Sequence, residues 1–296
     1  MEITDQHIFS HFPTDIVRII FEHAANIDQK TAFRLVRVST WVADWIRPYL
    51  YRTIILSRTT QIRSYVKCVP EHGHKIEHLC LDFPARVQTS LLDRCTNLKH
   101  LCIHNPGPKF EGWPEIYLFA GVTCAPTHVT IVSPRQSSRE RDGSRDAFPL
   151  MPTITGREIF RDCTHLIIPT LFTISNPGPD IAFGHPRTSP NITHLGLTVL
   201  ESTTAEVEES GRRGSGFGPK LYLGLQKLTQ STIMKSLQMI VIFLHGDKSP
   251  VTASQLSNIL RLDPRIYIFR TKKTPVELWE AHVRGHEDIW RVQRRD

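Results

Sequence analysis

A chain of 296 residues, 40% of them hydrophobic, can bury a large core, which excludes disorder over its whole length. The formal net charge of +7 favours acidic partners but indicates no activity by itself. The chain begins without a basic segment leading into an apolar run, and its most apolar stretch, residues 237–244, is too short to span a bilayer. We therefore expect a protein without membrane contact, in the cytoplasm or the nucleus. The six cysteines form no C-x-x-C pair and should be reduced thiols that fill the core.

The first fifty residues contain three short amphipathic helical patterns. Pro13 suits the first position of one helix, Asp28 and Ser39 can cap a second and a third, and Pro48 helps to end the third. Three helices in about forty residues enclose little core, so apolar surface should remain for a neighbour or a partner.

This segment resembles an F-box, whose usual pattern is Leu-Pro, then spaced aliphatic residues, then an element similar to Val-Ser/Cys-x-x-Trp. The residues that match are Phe12, Pro13, Ile16, Ile20, Leu35, Val36, Val38, Ser39 and Trp45. Phe12 stands where the pattern has leucine. The continuation from Arg47 to Thr53 is also similar to the helix-to-strand junction in F-box-like proteins of mushroom-forming fungi.

The resemblance implies that residues 8–50 dock on the Skp adaptor of an SCF-type cullin-RING ubiquitin ligase, while the rest of the chain selects a protein target. The docking residues that it implies are Phe12, Pro13, Ile16, Ile20, Leu35, Val36, Val38 and Trp45. The alternative, that these positions only pack a local three-helix cap against the next domain, stays open.

Beyond residue 50 the spacing x-x-L-x-L recurs eight times, which predicts the strand half of a leucine-rich repeat. The anchor pairs are Ile54/Leu56, Leu79/Leu81, Leu101/Ile103, Val129/Ile131, Leu166/Ile168, Leu195/Leu197, Ile240/Ile242 and Ile266/Ile268. Helical candidates lie between them, at 61–69, 87–94, 155–161 and 252–260, and polar inserts at 133–152, 175–191 and 201–220 make the spacing irregular.

The predicted fold is therefore α/β: a three-helix module at 8–50, an irregular leucine-rich-repeat-like β/α solenoid at 51–273, and a C-terminal helical cap at 274–296. Thr274, Pro275 and Glu277 have capping-box spacing, and Trp279, Val283, His286 and Trp290 then form a stripe that should cover the exposed core of the last repeat. An ordinary α/β domain whose strands share the spacing by chance is the alternative.

A histidine precedes the first anchor in five successive repeats, at His78, His100, His128, His165 and His194. These positions face away from the core, so we expect a ladder on the concave sheet that reads the target protein, more strongly as the pH falls toward 6 if the target is acidic. Surface histidines without a role and metal binding are the alternatives. We assign no metal, because a flat row lacks the tetrahedral closure that zinc requires.

The sequence contains no P-loop, G-x-S-x-G, H-E-x-x-H or dinucleotide-binding fingerprint. We therefore predict no enzyme, no catalytic residues and no cofactor. A basic scaffold for nucleic acid is the alternative function, but the 36 lysines and arginines are spread through segments that also contain acids and form no single basic block.

Overall fold

A computed structural model describes residues 12–82, 89–104, 124–132, 158–169, 191–200, 217–230, 236–246 and 251–291. Within these ranges the chain is an α/β protein with one sheet of eight parallel strands, which follow one another across the sheet in chain order. The strands are β1 (Thr53–Leu56), β2 (His78–Leu81), β3 (His100–His104), β4 (His128–Val132), β5 (His165–Pro169), β6 (His194–Leu200), β7 (Met239–His245) and β8 (Ile266–Thr271). Every predicted anchor pair lies in one of these strands, so the predicted strand pattern is confirmed.

The described helices are α1 (Thr14–Ile27), α2 (Gln29–Leu35), α3 (Thr40–Arg52), α4 (Thr59–His72), α5 (Thr89–Asp93), α6 (Phe217–Gln230), α7 (Ala253–Leu262) and α8 (Pro275–Val283). Short 3-10 turns lie at Gly73–Lys75 and Glu158–Phe160. None of these helices combines the length and the apolar character needed to cross a membrane.

Three of the four predicted helices between strands match α4, α5 and α7. The described part of the fourth begins with the 3-10 turn Glu158–Phe160 instead of an α-helix. The predicted insert at 201–220 is wrong in its last four residues, which form the first turn of α6, and the rest of it lies outside the described residues. Leu221 and Leu225 stand one helical turn apart and are buried, so packing against the core favours the helix. The predicted inserts at 133–152 and 175–191 lie outside the described residues, except for Asn191.

The main core lies between the sheet and the helices α4, α6 and α7. Side chains alternate between the two faces of a strand, so both anchors of each strand point to this core. Leu79 and Leu101 are fully buried there and pack in one cluster with Leu225 of α6 and Ile259 of α7. Burial of one such side chain contributes about 1.5–3 kcal/mol. The cysteines with described side chains are all buried free thiols, as predicted: Cys80, Cys95, Cys102, Cys124 and Cys163.

Helices α1, α2 and α3 pack around a small core of their own, which contains Ala25, Ala32, Val42 and Ile46. The predicted caps at Asp28 and Ser39 are confirmed, whereas Pro13 stands just before α1, at its N-cap, and not in its first position. The Asp28 carboxylate accepts a hydrogen bond from the backbone N–H of Thr31 at 2.8 Å, and the Ser39 hydroxyl accepts one from that of Val42 at 3.3 Å.

The prediction that Pro48 helps to end the third helix is wrong, because α3 continues to Arg52. A proline inside a helix removes one backbone hydrogen bond. Tyr49 and Leu50 pack against the small core of the three helices, which offsets that loss. The helices therefore end at residue 52, where β1 follows directly, and residues 8–11 of the predicted module lie outside the described residues.

The predicted capping box of α8 is confirmed. The Thr274 hydroxyl accepts from the Glu277 N–H at 3.3 Å, and the Glu277 carboxylate accepts from the Thr274 N–H at 2.7 Å. The prediction that this helix covers the exposed core of the last repeat is wrong. Instead of covering the end of the array, α8 lies across the sheet face opposite α4, α6 and α7, where Trp279 packs with Cys80 and Cys102. The last turns of the chain therefore cover a second apolar surface of the sheet.

Gly196 of β6 tests how tightly this second face is packed. A Cβ atom there would lie 2.7 Å from Cε2 of Phe243 and 2.8 Å from Cγ1 of Ile167. We expect Gly196→Ala to lower the free energy of unfolding by about 1–3 kcal/mol, measured by urea denaturation. Adding Phe243→Leu removes the ring atoms that the methyl group meets, so the two changes should not be additive. An unchanged midpoint for Gly196→Ala would contradict close packing here.

Candidate functional site

Five histidines stand side by side on the sheet face that α8 covers. The register pairs His78 with His100, His100 with His128, His128 with His165, and His165 with His194. Each is the first residue of its strand, from β2 to β6. We name these five residues the histidine ladder. The predicted alignment of the histidines across the sheet is confirmed.

Four of the ladder rings form a stack. The ring centroids of His100 and His128 are 4.1 Å apart at 17°, those of His128 and His165 are 4.1 Å apart at 13°, and those of His165 and His194 are 4.2 Å apart at 13°. His78 meets His100 edge-on, at 4.7 Å and 70°. These separations are close to the distance between neighbouring strands, so the sheet itself sets the spacing of the stack.

A threonine precedes three of the ladder histidines and holds the Nδ1 atom of each. Oγ1 of Thr127 lies 2.9 Å from Nδ1 of His128. Oγ1 of Thr164 lies 2.8 Å from Nδ1 of His165, and Oγ1 of Thr193 lies 2.8 Å from Nδ1 of His194. The three hydroxyl groups donate, at 3.2 Å, to the carbonyl oxygens of Lys99, Thr127 and Thr164 respectively. Because the only hydroxyl proton is used in that bond, the oxygen accepts from Nδ1–H, and Nε2 of the histidine carries the lone pair.

The C-terminal residues close over the ladder. The ring of Trp290 lies 5.1 Å from that of His165 and 5.4 Å from that of His194, edge-on to both. The ring of His282, on α8, lies 5.6 Å from that of His100 and 6.1 Å from that of His128. The chain's own C-terminal segment therefore occupies the face on which a target was predicted to bind.

Burial lowers the pKa of every ladder histidine, and the charges of nearby imidazoles add to this effect for all except His194. Arg52 and Lys99 lower the pKa of His78 further. The pKa values that fall to about 3 are those of His78, His100, His128 and His165. The ladder is therefore uncharged near neutral pH.

The expectation of an exposed ladder that becomes charged near pH 6 is wrong. His78 is only 4% exposed, and the other four histidines are half-buried. An imidazole with a pKa of about 3 stays neutral at pH 6, so protonation cannot strengthen binding to an acidic target there. That a target contacts these histidines stays a prediction, and it now requires α8 to move.

Sequence reasoning missed the part that α8 plays at the ladder. It placed Trp279 and Trp290 on a capping stripe and did not single out His282, although His282 follows Trp279 by three residues and so shares its helix face. It also placed His286 on that stripe, but His286 is exposed because α8 ends before it and Gly285 adopts a φ of 76°.

His282 adds a third imidazole close to two members of the ladder. One ring nitrogen from each of His100, His128 and His282 lies within 4.8 Å of the others. Nδ1 of His100 and both ring nitrogens of His78 are buried without a hydrogen-bond partner. Buried polar atoms of this kind call for an explanation, such as a water molecule or an ion. Imidazole nitrogens are ligands for zinc and other first-row transition metals.

The residues implied in Skp docking form two groups in the three-helix module. The exposed ones are Phe12, Pro13, Ile16, Ile20 and Val38. Those half-buried against the small core are Leu35, Val36 and Trp45. Ile19, Phe33 and Trp41, which were not nominated, are exposed as well. The module thus holds both apolar residues that fold it and apolar residues that face solvent.

The low pKa values of the ladder make stability depend on pH. Above pH 6.5 these histidines are neutral in the folded and unfolded states. As the pH falls from 6.5 toward 3, the unfolded chain binds protons first, so the folded state loses stability. Between pH 6 and pH 5 we expect the free energy of unfolding to fall by up to about 1.4 kcal/mol per pH unit for each of the four ladder histidines whose pKa falls to about 3, measured by urea denaturation.

The double change His128→Gln and His165→Gln removes two groups that titrate in this way, so the slope should become smaller. His74→Gln alters an exposed histidine outside the ladder and serves as the control. Equal slopes for all three proteins would contradict a neutral buried ladder.

Comparison with protein-family models, with curated proteins and with solved structures found no match to this chain.

Proposed function

We propose that this chain is the substrate-receptor subunit of an SCF-type cullin-RING ubiquitin ligase. Its three N-terminal helices would dock the Skp adaptor, and the region from residue 53 onward would hold a protein target. The observation that carries this proposal is the concentration of exposed apolar residues on the N-terminal helices.

Eight of the nine large hydrophobic residues that are exposed in the described part of the chain lie between residues 12 and 41. They are Phe12, Ile16, Ile19, Ile20, Ile27, Phe33, Val38 and Trp41. An apolar surface concentrated in this way is typical of a site that binds another protein. We name these eight residues the docking surface.

The arrangement of α1 supports a partner rather than a merely local packing role. Val17 and Ala25 are buried, and Ala25 belongs to the small core of the module. Ile16 and Ile20 stand four residues apart, so they share a face of the helix, and they are 46% and 58% exposed. Both isoleucine side chains stay in contact with water unless a partner covers them. Their exposure therefore favours docking of a partner over a closed three-helix cap.

The sheet supports a repeat architecture for the target-binding region. Each strand pairs in parallel with the next one along the chain, and equivalent positions lie opposite each other through β2 to β6. Stacking of successive β/α units with shared anchors is the principle of a leucine-rich repeat. We propose that these units belong to an irregular array of that kind.

The chain would act by proximity and not by chemistry of its own. A receptor that holds the ligase at one end and the target at the other raises the effective concentration of target lysines at the conjugating enzyme. We therefore propose no catalytic residue for this subunit.

Ile20→Asp tests the docking surface. The change places a carboxylate where an apolar contact would form, so we expect binding to a purified Skp adaptor to weaken by about 30-fold or more, measured by biolayer interferometry. Ile20 is 58% exposed in the free chain, so the melting temperature should change little.

Leu223→Asp is the matched control, because Leu223 is 54% exposed on α6, outside the docking surface. It should bind the adaptor as the original chain does. A folded Ile20→Asp variant that keeps full affinity, or an equal loss with Leu223→Asp, would contradict docking through this surface. In affinity purification of the chain at two salt concentrations, partners that are lost steeply with added salt would instead favour charge-driven binding, such as that of nucleic acid.

A further inference from the structure

His282 projects from α8 toward the ladder, and together with two ladder histidines it forms a group of three imidazoles. We propose that His100, His128 and His282 bind one Zn²⁺ ion, which fixes α8 to strands β3 and β4. The proposal does not depend on Skp docking, because none of these residues belongs to the docking surface.

His128 and His282 each use Nδ1 in a hydrogen bond, so Nε2 of each ring stays available to a metal ion. The Nδ1–H of His282 donates to the carbonyl oxygen of Glu287 at 3.2 Å, because a carbonyl oxygen can only accept. The Nδ1–H of His128 donates to Oγ1 of Thr127 at 2.9 Å, as the hydroxyl proton is used elsewhere. Nε2 of both rings therefore carries a lone pair. Hydrogen bonds of this kind to the second nitrogen orient the histidine ligands of zinc sites.

The third ligand comes from His100. Its buried Nδ1 has no hydrogen-bond partner, so coordination would satisfy an atom that nothing else satisfies. The side chain is half-buried, as are those of His128 and His282, so an ion could reach the group.

The separation of the three nitrogens fits a site that closes when the ion binds. Two nitrogens about 2.0 Å from one zinc ion at the tetrahedral angle lie roughly 3.3 Å apart. One ring nitrogen from each of the three histidines now lies within 4.8 Å of the other two, so the rings would have to rotate to bring the coordinating nitrogens to that distance. The ladder alone is a flat row and cannot surround a metal, but His282 lies off the row and contributes a ligand from a second direction. Three protein ligands leave a fourth position for water.

The site would join parts of the chain that are far apart in sequence. His100 and His128 begin β3 and β4, whereas His282 lies near the end of α8. A ligand that binds the folded chain and not the unfolded chain raises the melting temperature. Zinc should therefore hold the C-terminal helix over the ladder.

The test uses the full chain, purified without a histidine tag, and Zn²⁺ in a competition titration with a chelating dye. We expect one zinc ion per chain and a higher melting temperature when zinc is present. His282→Gln should weaken zinc binding at least about tenfold and remove the thermal effect, because one of three ligands is lost. His286→Gln, an exposed histidine just beyond α8, should leave both unchanged.

A second pair of variants avoids any change to the ligands. Thr127→Val removes the acceptor for Nδ1–H of His128 and should weaken zinc binding about tenfold. Thr164→Val makes the same change beside His165, outside the group of three, and should have no effect. The proposal is overturned if the original chain binds no zinc, if His282→Gln binds it as tightly as the original chain, or if the two threonine changes have equal effects.

Discussion

The pairing of parallel strands in register is the constraint on which the rest of this structure depends. Strands in a sheet lie about 4.8 Å apart, so each residue is placed beside its counterparts in the neighbouring strands. Leu79 therefore lies beside Leu101 on the helix-bearing face, and His78 lies beside His100 on the other. One register produces both the apolar core and the histidine ladder.

A row of half-buried imidazoles is compatible with folding because the rings are neutral. Charged rings about 4 Å apart would repel each other, and burial also disfavours the charged form. The threonines that precede three of the histidines satisfy Nδ1, and Trp290 packs against the edge of the stack. The C-terminal segment thus completes the second face of the sheet, which also contains Phe243 and Val241 in an apolar cluster with Trp290.

The three-helix module is attached to the sheet and to α8 by polar contacts as well as by packing. The carboxylate of Glu77 lies 2.9 Å from Lys99 Nζ and 3.4 Å from Arg52 Nε at the end of α3. Burial alone would raise the pKa of Glu77, but its bonds to Lys99 and Arg52 outweigh burial and lower that pKa. Asn26 of α1 donates to the carbonyl oxygen of Arg284 at 3.2 Å. These contacts fix the three-helix module relative to the sheet, which the proposed receptor function would require.

The sequence by itself determined the strands, most of the helices and the alignment of the ladder, because these follow from local periodicity and capping. The alternation of Leu101 and Ile103 along a strand, and the capping box at Thr274, depend only on neighbouring residues. The continuation of α3 past Pro48 was decided by tertiary packing, since the contacts of Tyr49 and Leu50 offset the lost hydrogen bond. The path of the C-terminal helix was decided in the same way. Its apolar stripe is satisfied equally by the end of a repeat array or by the face of a sheet, and only the folded chain shows that Trp279 and His282 lie on the ladder face.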